Sequence, residues 1–452
     1  MPESTPTAAS LVGEEYEVEI GPVAHGGHCV ARTPGGQVLF VRHTFPGERV
    51  IARVTDGRAD SRFLRADAVT VLDPAKERIE APCPFSGPGR CGGCDWQHVK
   101  PGAQRKLKAA VLTELLGQLA GVTPEEVSWD GTVEPAPGDK VAPGEVPAWR
   151  TRVQYAIDAE GRAGLRRSRS HEVEPIDRCL IAAEGVSELG VEARSWPQIA
   201  SVDAIAATGS NDRMVVLTPR PGGRLPLVEL DRPVSVMRAQ EKRGKGGGPG
   251  QRTLHPVHGR TFVRERADGR TWRVGEGGFW QVHPQAAELL VDALMRGLTP
   301  RKGETALDLY CGVGLFAGAL AARVGETGAV VGIESSKRAV EDARHNLADA
   351  PRVRIEHGRV EQVLPRTGIT RADLIVLDPP RAGAGKRTVE HLATLGARRI
   401  GYVACDPAAL ARDLAHFRAV GYVPRFLRAF DLFPMTHHME CVAILEPAAK
   451  SA

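Results

Sequence analysis

The chain has 452 residues, 42% of them hydrophobic and 25% charged, with a formal net charge of +4. That length provides for about two to four domains with a sizeable core, and the composition excludes a disordered or fibrous chain. No stretch nears the ~20 continuous apolar residues of a membrane span, the first twenty residues carry neither a basic start nor an apolar run, and so mild a charge excess names no partner; a cytoplasmic protein is expected.

Residues 11–72 alternate polar and apolar positions, as in "EYEVEIGPVA", "GQVLFVRH" and "RADAVTVLD". Turns bearing glycine and proline separate these runs at the spacing of a small antiparallel barrel, an architecture that often binds nucleic acid. Three grouped cysteines follow, then "AQRKLKAAVLTELLGQLAG", a helix with its leucines and valine on one face. Residues 130–148 are rich in Pro, Gly and charge and are expected to form a loop. From about 149 to 272 short strand-like segments alternate with turns, which predicts an α+β or mainly β domain. Its arginines, in "WRTRVQY" and "GRAGLRRSRSHEVE", suit a phosphate-tracking surface, and equally a solvated face. The stretch 241–252, "EKRGKGGGPGQR", is expected to be a flexible excursion, as are residues 1–9.

From 285 onward strands alternate with helices: "TALDLY", a glycine loop, "LFAGALAAR", "AVVGIE", "SKRAVEDARHNLA", "ADLIVLD" and "RRIGYVAC". This order predicts an α/β, Rossmann-like parallel sheet covered on both faces, with a site beyond the carboxyl ends of its strands. Gly312 and Gly314 let the first loop turn tightly beside a ligand. Glu334 ends the next strand, where a carboxylate accepts bonds from ribose hydroxyls. Lacking the third glycine of a dinucleotide fingerprint, the pair suits an adenosine ligand without pyrophosphate, S-adenosylmethionine above all. "LIVLDPPRAGAG" brings Asp378 and Arg381 to the same edge, on a rim stiffened by two prolines. In "YVACDPAALARDL", Asp406 fits an N-cap and Pro407 the first helical position. Cys405 therefore stands where a strand ends and a helix's positive pole begins, an environment expected to favour thiolate. In "FDLFPMTHHMECVAILEP", Glu440 opens an apolar strand, where desolvation would raise its pKa as a general base requires. His437 and His438 lack a third ligand at metal spacing and suit structural or substrate-positioning roles.

Taken together, "GFWQVHP" (278–284), "LDLYCGVG" (307–314), "DPPRAG" (378–383), "YVACDP" (402–407) and "DLFPMTHHMEC" (431–441) resemble the RNA uridine-C5 methyltransferases, the transfer and ribosomal RNA 5-methyluridine family. Residues 10–72 look like the TRAM barrel found on RNA-modifying enzymes. The resemblance implies an enzyme with Cys405 as nucleophile and Glu440 as base. Gln281, Tyr310, Gly312, Gly314, Glu334 and Asp378 would meet S-adenosylmethionine; Arg381, Phe433 and His438 would meet the substrate. Leu315 stands where many relatives have asparagine, and its side chain offers the cofactor no hydrogen bond. In the family's chemistry the Cys405 thiolate adds to C6 of a flipped-out uridine and makes C5 nucleophilic toward the methyl donor. Unlike RNA cytosine-C5 methyltransferases, "DPPR" holds no second cysteine, which favours uridine. The implied domains are 10–72 for the barrel, 73–98 with 130–272 for a central α+β domain, and 99–129 with 273–448 for the methyltransferase.

Cys83, Cys91, Cys94 and Cys179 supply four thiols. On spacing, structural zinc and a cubane iron–sulfur cluster remain alternatives. The similarity of "CPFSGPGRCGGCDWQH" (83–98) and "RSHEVEPIDRC" (169–179) to the iron–sulfur domain of the ribosomal branch implies a [4Fe–4S] cluster and tilts the substrate toward 23S ribosomal RNA. Cys29, Cys311 and Cys441 are expected as packing residues. A monomer that binds RNA and no membrane is expected; the competing reading is an RNA-binding or assembly factor that keeps the fold without turnover.

Overall fold

The computed structural model describes residues 9–139, 145–225, 233–242, 251–275 and 277–449. In the N-terminal strands every second side chain is buried: Val50, Ala52 and Val54 within Arg49–Asp56, Leu39 and Val41 within Val38–Arg42. Successive strand residues point to opposite faces, so such runs close around a core. The five strands lie in the order Glu15–Glu19, Arg49–Asp56, Phe63–Asp73, Val38–Arg42, Cys29–Arg32. One pairing departs from the antiparallel expectation: Val38–Arg42 runs parallel to Phe63–Asp73, because the chain between them leaves to build Arg49–Asp56 on the far side.

The helix Pro101–Leu115 continues as a π turn over Leu116–Ala120 and stops at Gly121, left-handed at φ 62°. Its apolar residues serve two cores. Ala103, Leu107 and Val111 enter the barrel's interior, while Leu112, Leu116 and Ala120 pack under the large C-terminal sheet. Lys108, on the same helix, is fully buried. It forms an ion pair with Asp431 and donates to the Phe433 carbonyl at 3.2 Å.

A second sheet of seven strands runs in the order Gln251–His258, Ser235–Lys242, Arg213–Pro219, Ile199–Ala206, Arg152–Ile157, Ala163–Arg166, Val173–Pro175. The expected excursion at 241–252 is shorter than supposed: Glu241 pairs with Arg252 and Lys242 with Gln251 in the edge hairpin, and 243–250 lie outside the described residues. Residues 1–8 lie outside them as well.

The third sheet carries the site. Its order is Val353–His357, Ala329–Glu334, Thr305–Leu309, Leu374–Leu377, Arg399–Ala404, Glu440–Pro447, Tyr422–Asp431, Val133–Pro135. The first five strands are mutually parallel, and their residues alternate between two cores. Leu374 and Val376 face the side of helices Ala286–Leu298 and Leu315–Val324, while Ile375 and Leu377 face the side of Lys386–Thr394 and Pro407–Ala419. Glu440–Pro447 then runs antiparallel to these five, and Tyr422–Asp431, antiparallel to it in turn, restores their direction, so the sheet is mixed rather than wholly parallel. Val133–Pro135 adds itself to the edge, parallel to Tyr422–Asp431, within a segment expected as loop; three residues carry too little periodicity to announce a strand.

Removing one member of a buried ion pair leaves the other charge unanswered, at a cost of about 3–5 kcal/mol. Lys108→Met in the full-length chain is therefore expected to lower the urea-unfolding midpoint markedly, whereas the double substitution Lys108→Met, Asp431→Leu recovers much of the loss.

Candidate active site

The chain order along the third sheet reverses between Thr305–Leu309 and Leu374–Leu377, and open α/β sheets bind ligands beyond the strand ends at such a point. The loop after Thr305–Leu309 turns through Tyr310 at φ 63°, Gly312 at 54° and Gly314 at 93°. Its two glycines differ in role. A Cβ on Gly312 would meet nothing within 4 Å and the residue borders the cleft, whereas one on Gly314 would lie 2.8 Å from Leu347 Cδ1. Gly314 thus caps helix Leu315–Val324 and packs inward, away from the cleft lining. Glu334 closes the loop from the next strand, accepting from Gly312 N at 3.1 Å and Ser336 N at 2.6 Å. Its carboxylate is held at the cleft edge by backbone donors. Tyr310, Glu334 and Asp378 border the same cleft, of about 1290 Å³.

Across the cleft, Arg399–Ala404 pairs antiparallel with Glu440–Pro447, in register from Ile400 opposite Leu445 to Ala404 opposite Cys441. Cys405 follows the last of these pairs on one strand, and Glu440 precedes it on the other. Both border the cleft, together with Arg381. Glu440 is 3% exposed, and its Oε2 has no hydrogen-bond partner among the described residues. Burial, then Asp378, push its pKa well above the carboxylate range, with Arg381 opposing. Burial alone pushes Asp378 to about 7.

Cys405 corrects the expectation of a ready thiolate. Burial first, then the carboxyls of Glu440 and Asp378, push its pKa up to about 11, against the pull of Arg381. The helix's free N–H groups act elsewhere: the Asp406 carboxylate caps Pro407–Ala419 by accepting from Ala409 N at 2.8 Å.

Asp413, on that helix, holds the Arg381 loop. It accepts from Ala384 N and from the Tyr402 hydroxyl, each at 2.6 Å. Gln281 is buried on the cleft wall, its segment tied to the second sheet by Thr151, whose N and Oγ1 both donate to the Val282 carbonyl at 2.9 Å. Phe433 and His438 border the cleft, with rings edge-on at 6.0 Å. Burial, His437 and Arg381 lower the His438 pKa to about 3, so its ring is neutral. His437 Nδ1 lies 2.7 Å from Asp95 Oδ2. Trp149 Nε1 donates to the Pro434 carbonyl at 3.2 Å. Asp95, Trp149, Arg150 and Phe279 also border the cleft, and Phe279 is 64% exposed. Of these, only Arg150 belongs to a cluster that the sequence marks for RNA; Asp95, Trp149 and Phe279 carry no such signal, although "GFWQVHP" and "WRTRVQY" contain Phe279 and Trp149.

The cysteine group does not form the expected metal site. Among the described residues no three His, Cys, Asp or Glu side chains are arranged to hold a metal ion. The Cys91 sulfur accepts from Gly93 N and the Cys94 sulfur from Gln97 Nε2, each at 3.4 Å. Cys179 packs beside Trp149 and Ile181. Burial raises the pKa of Cys91, Cys94 and Cys179, Cys179 to about 11, and the groups that act on Cys94 include Cys179, Cys91 and Cys83, so the four thiols stand near one another. Among the described residues the arrangement supports neither the expected [4Fe–4S] cluster nor structural zinc. Cys29, Cys311 and Cys441 are buried packing residues, as expected.

Comparison with known proteins agrees with this geometry. Residues 9–69 match the TRAM domain, 306–379 a methyltransferase domain, and 368–448 the tRNA (uracil-5-)-methyltransferase family. An uncharacterized RNA methyltransferase of Streptomyces coelicolor is 75% identical over 98% of this chain and 94% of its own. One from Bifidobacterium longum is 32% identical over 98% and 99%. The crystal structure of Pyrococcus abyssi tRNA (uracil-54, C5)-methyltransferase in complex with S-adenosyl-L-homocysteine superposes with a TM-score of 0.69, at 23% identity, over 95% of this chain and 99% of that one; it shares the fold. The chain belongs to the RNA uridine-C5 methyltransferase family and carries its TRAM domain. It is an RNA methyltransferase. Among the described residues no helix is long and apolar enough to cross a membrane.

A thiol with a pKa near 11 is protonated at neutral pH and ionises only as pH rises toward that value. In the ligand-free protein, iodoacetamide labelling of Cys405, followed by peptide-resolved mass spectrometry, is expected to be slow at pH 7.5, at about the pH where free cysteine begins to ionise. Its rate should climb steeply only above about pH 10.

Proposed function

We propose that this enzyme transfers a methyl group from S-adenosylmethionine to C5 of a uridine in RNA through a covalent bond between Cys405 and C6. The observation that carries this reading is that Cys405, at the end of Arg399–Ala404, and Glu440, at the start of the antiparallel Glu440–Pro447, border one cleft. Gln281, Tyr310, Gly312, Glu334 and Asp378 would hold the cofactor, and Glu334, already fixed by Gly312 N and Ser336 N, suits the ribose hydroxyls. Bound there, S-adenosylmethionine supplies an electrophilic methyl group. Gly314 acts through packing.

The chemistry asks two things of the chain. C5 of uracil is a poor nucleophile; addition of the Cys405 thiolate to C6 forms an S–C6 bond and moves the ring's electron pair into an enolate, which makes C5 reactive. Once C5 bears the new methyl group, the Glu440 carboxylate takes the C5 proton, the C5–C6 double bond re-forms, and the S–C6 bond breaks to return the thiolate. A base acts this way only unprotonated, so the raised pKa of Glu440 makes it an effective proton acceptor once the loaded site has ionised it. Arg381 is the cation beside both groups and favours their charged forms. The uridine reaches them only when flipped out of its stack, and Phe433 and His438 offer rings against it. The TRAM barrel and the arginines of 149–178 would hold the surrounding RNA by its phosphates. The choice of ribosomal over transfer RNA rests on the likeness of 83–98 and 169–179 to the ribosomal branch.

Tritium release from RNA carrying C5-tritiated uridine tests the reaction. The wild type is expected to release tritium in step with methyl transfer, and Cys405→Ala to release none. Glu440→Gln is expected to accumulate a covalent RNA adduct visible on denaturing gels. Intact RNA binding with no release by the wild type would instead identify a binding factor that keeps the fold without turnover.

A further inference from the structure

Away from the main cleft, the barrel touches the catalytic strand ends through one turn. Residues 24–28, "AHGGH", are pinned by bonds from Ala24 N to the His28 carbonyl at 2.7 Å and from Gly27 N to the Ala24 carbonyl at 3.2 Å. Gly27 has φ 81°, a region that glycine adopts without strain. It also approaches His437 so closely that a Cβ on it would lie 2.8 Å from the histidine's own. Trp96 Nε1 donates to the Gly27 carbonyl at 3.1 Å. Held in this way, the turn delivers His25 Nε2 to 3.2 Å from Asp406 Oδ2.

Asp406 follows Cys405 in the chain. Its carboxylate is shared: Oδ1 caps the helix through Ala409 N, and Oδ2 meets the barrel. A small pocket between the two domains is lined by His25, Gly27, Trp96, Cys405, Asp406 and His437. His25 is 41% exposed and Asp406 24%, so the pair forms where the barrel meets the catalytic domain rather than in a core. We propose that His25 is a positioning residue for the nucleophile: its bond to Asp406 Oδ2 fixes the N-cap carboxylate and, through the adjoining peptide, the aim of Cys405, so that the docked barrel is part of the catalytic assembly. This rests on the reading of Cys405 as nucleophile.

The electrostatics point the same way. The charged groups that act on Cys405 are Glu440, Asp378, Asp406 and Arg381; those that act on Asp406 are His25 from the barrel and Arg412 from its own helix. Lys108 and His438 border the pocket as well. Without His25 the Oδ2 charge has lost its barrel partner and bears more fully on the neighbouring sulfur, which disfavours thiolate. Freed of that bond, the carboxylate also has rotamers that the docked barrel forbids.

The test uses the full-length chain with His25→Ala and His25→Gln, the second keeping an N–H donor. Small displacements of a reacting group cost up to about a hundredfold in rate, so His25→Ala is expected to lower kcat about ten- to a hundredfold. KM for RNA should stay within about twofold. Labelling of Cys405 by iodoacetamide should shift to higher pH, and His25→Gln should restore much of both. A His25→Ala enzyme that matches wild type in kcat and in the labelling profile overturns the proposal, as does a rise in KM alone, which would make the turn an RNA contact. The labelling profile needs no turnover, so it separates this failure from failure of the nucleophile reading, which full activity of Cys405→Ala would bring about.

Discussion

The antiparallel contact between Arg399–Ala404 and Glu440–Pro447 is the constraint on which the rest of the molecule depends. Parallel strands all deliver their carboxyl ends to one edge of a sheet. A strand that returns antiparallel begins at that same edge. This combination brings the residue after one strand and the first residue of the next to the same edge, and Cys405 and Glu440 both line the cleft there. A slip of one residue would turn Glu440 to the opposite face. The register is defended by side chains buried on both sides of the pair, among them Ile400, Tyr402, Val442 and Leu445.

Burial sets the electrostatics of that cleft wall. Asp378, Glu440 and Cys405 all have pKa values raised by burial; Asp378 further disfavours the ionisation of Glu440, and both carboxyls that of Cys405. In the ligand-free state burial therefore favours the protonated forms of these three groups. A cation entering the cleft reverses this balance, because it favours every ionised form at once. Arg381 supplies part of that field permanently and sits on a loop that Asp413 holds from behind.

The segment 433–439 is braced from three directions, and each brace begins in a different part of the chain. Lys108 and Gln104 reach it from the long helix, with Gln104 Oε1 accepting from Met435 N at 2.9 Å. Asp95 holds His437 from the cysteine-bearing segment, and Trp149 holds Pro434 from the entrance to the second sheet. The loop that bears the aromatic rings of the site is thus positioned by all the parts that surround it, and the barrel turn at 24–28 adds a further contact.

Local physics was legible in the residues themselves. Alternation announced the barrel strands, the apolar runs announced the parallel strands, and Asp406 with Pro407 announced a helix start, because periodicity and capping involve only neighbours in the chain. The strand-end candidates from Gly312 to Glu440 were legible for the same reason, and all but Gly314 border one cleft. What stayed hidden was set at long range: the protonation of Cys405, the inward packing of Gly314, the strand at Val133–Pro135, the failure of four cysteines to assemble a metal site, and the bond from His25 to Asp406. The sequence alone determined which elements form and which chemical groups stand at their ends, since those follow from spacing and propensity. The tertiary structure decided which groups face each other, how dry they are and what charge they carry, since desolvation and Coulomb interaction depend on distance in space rather than along the chain.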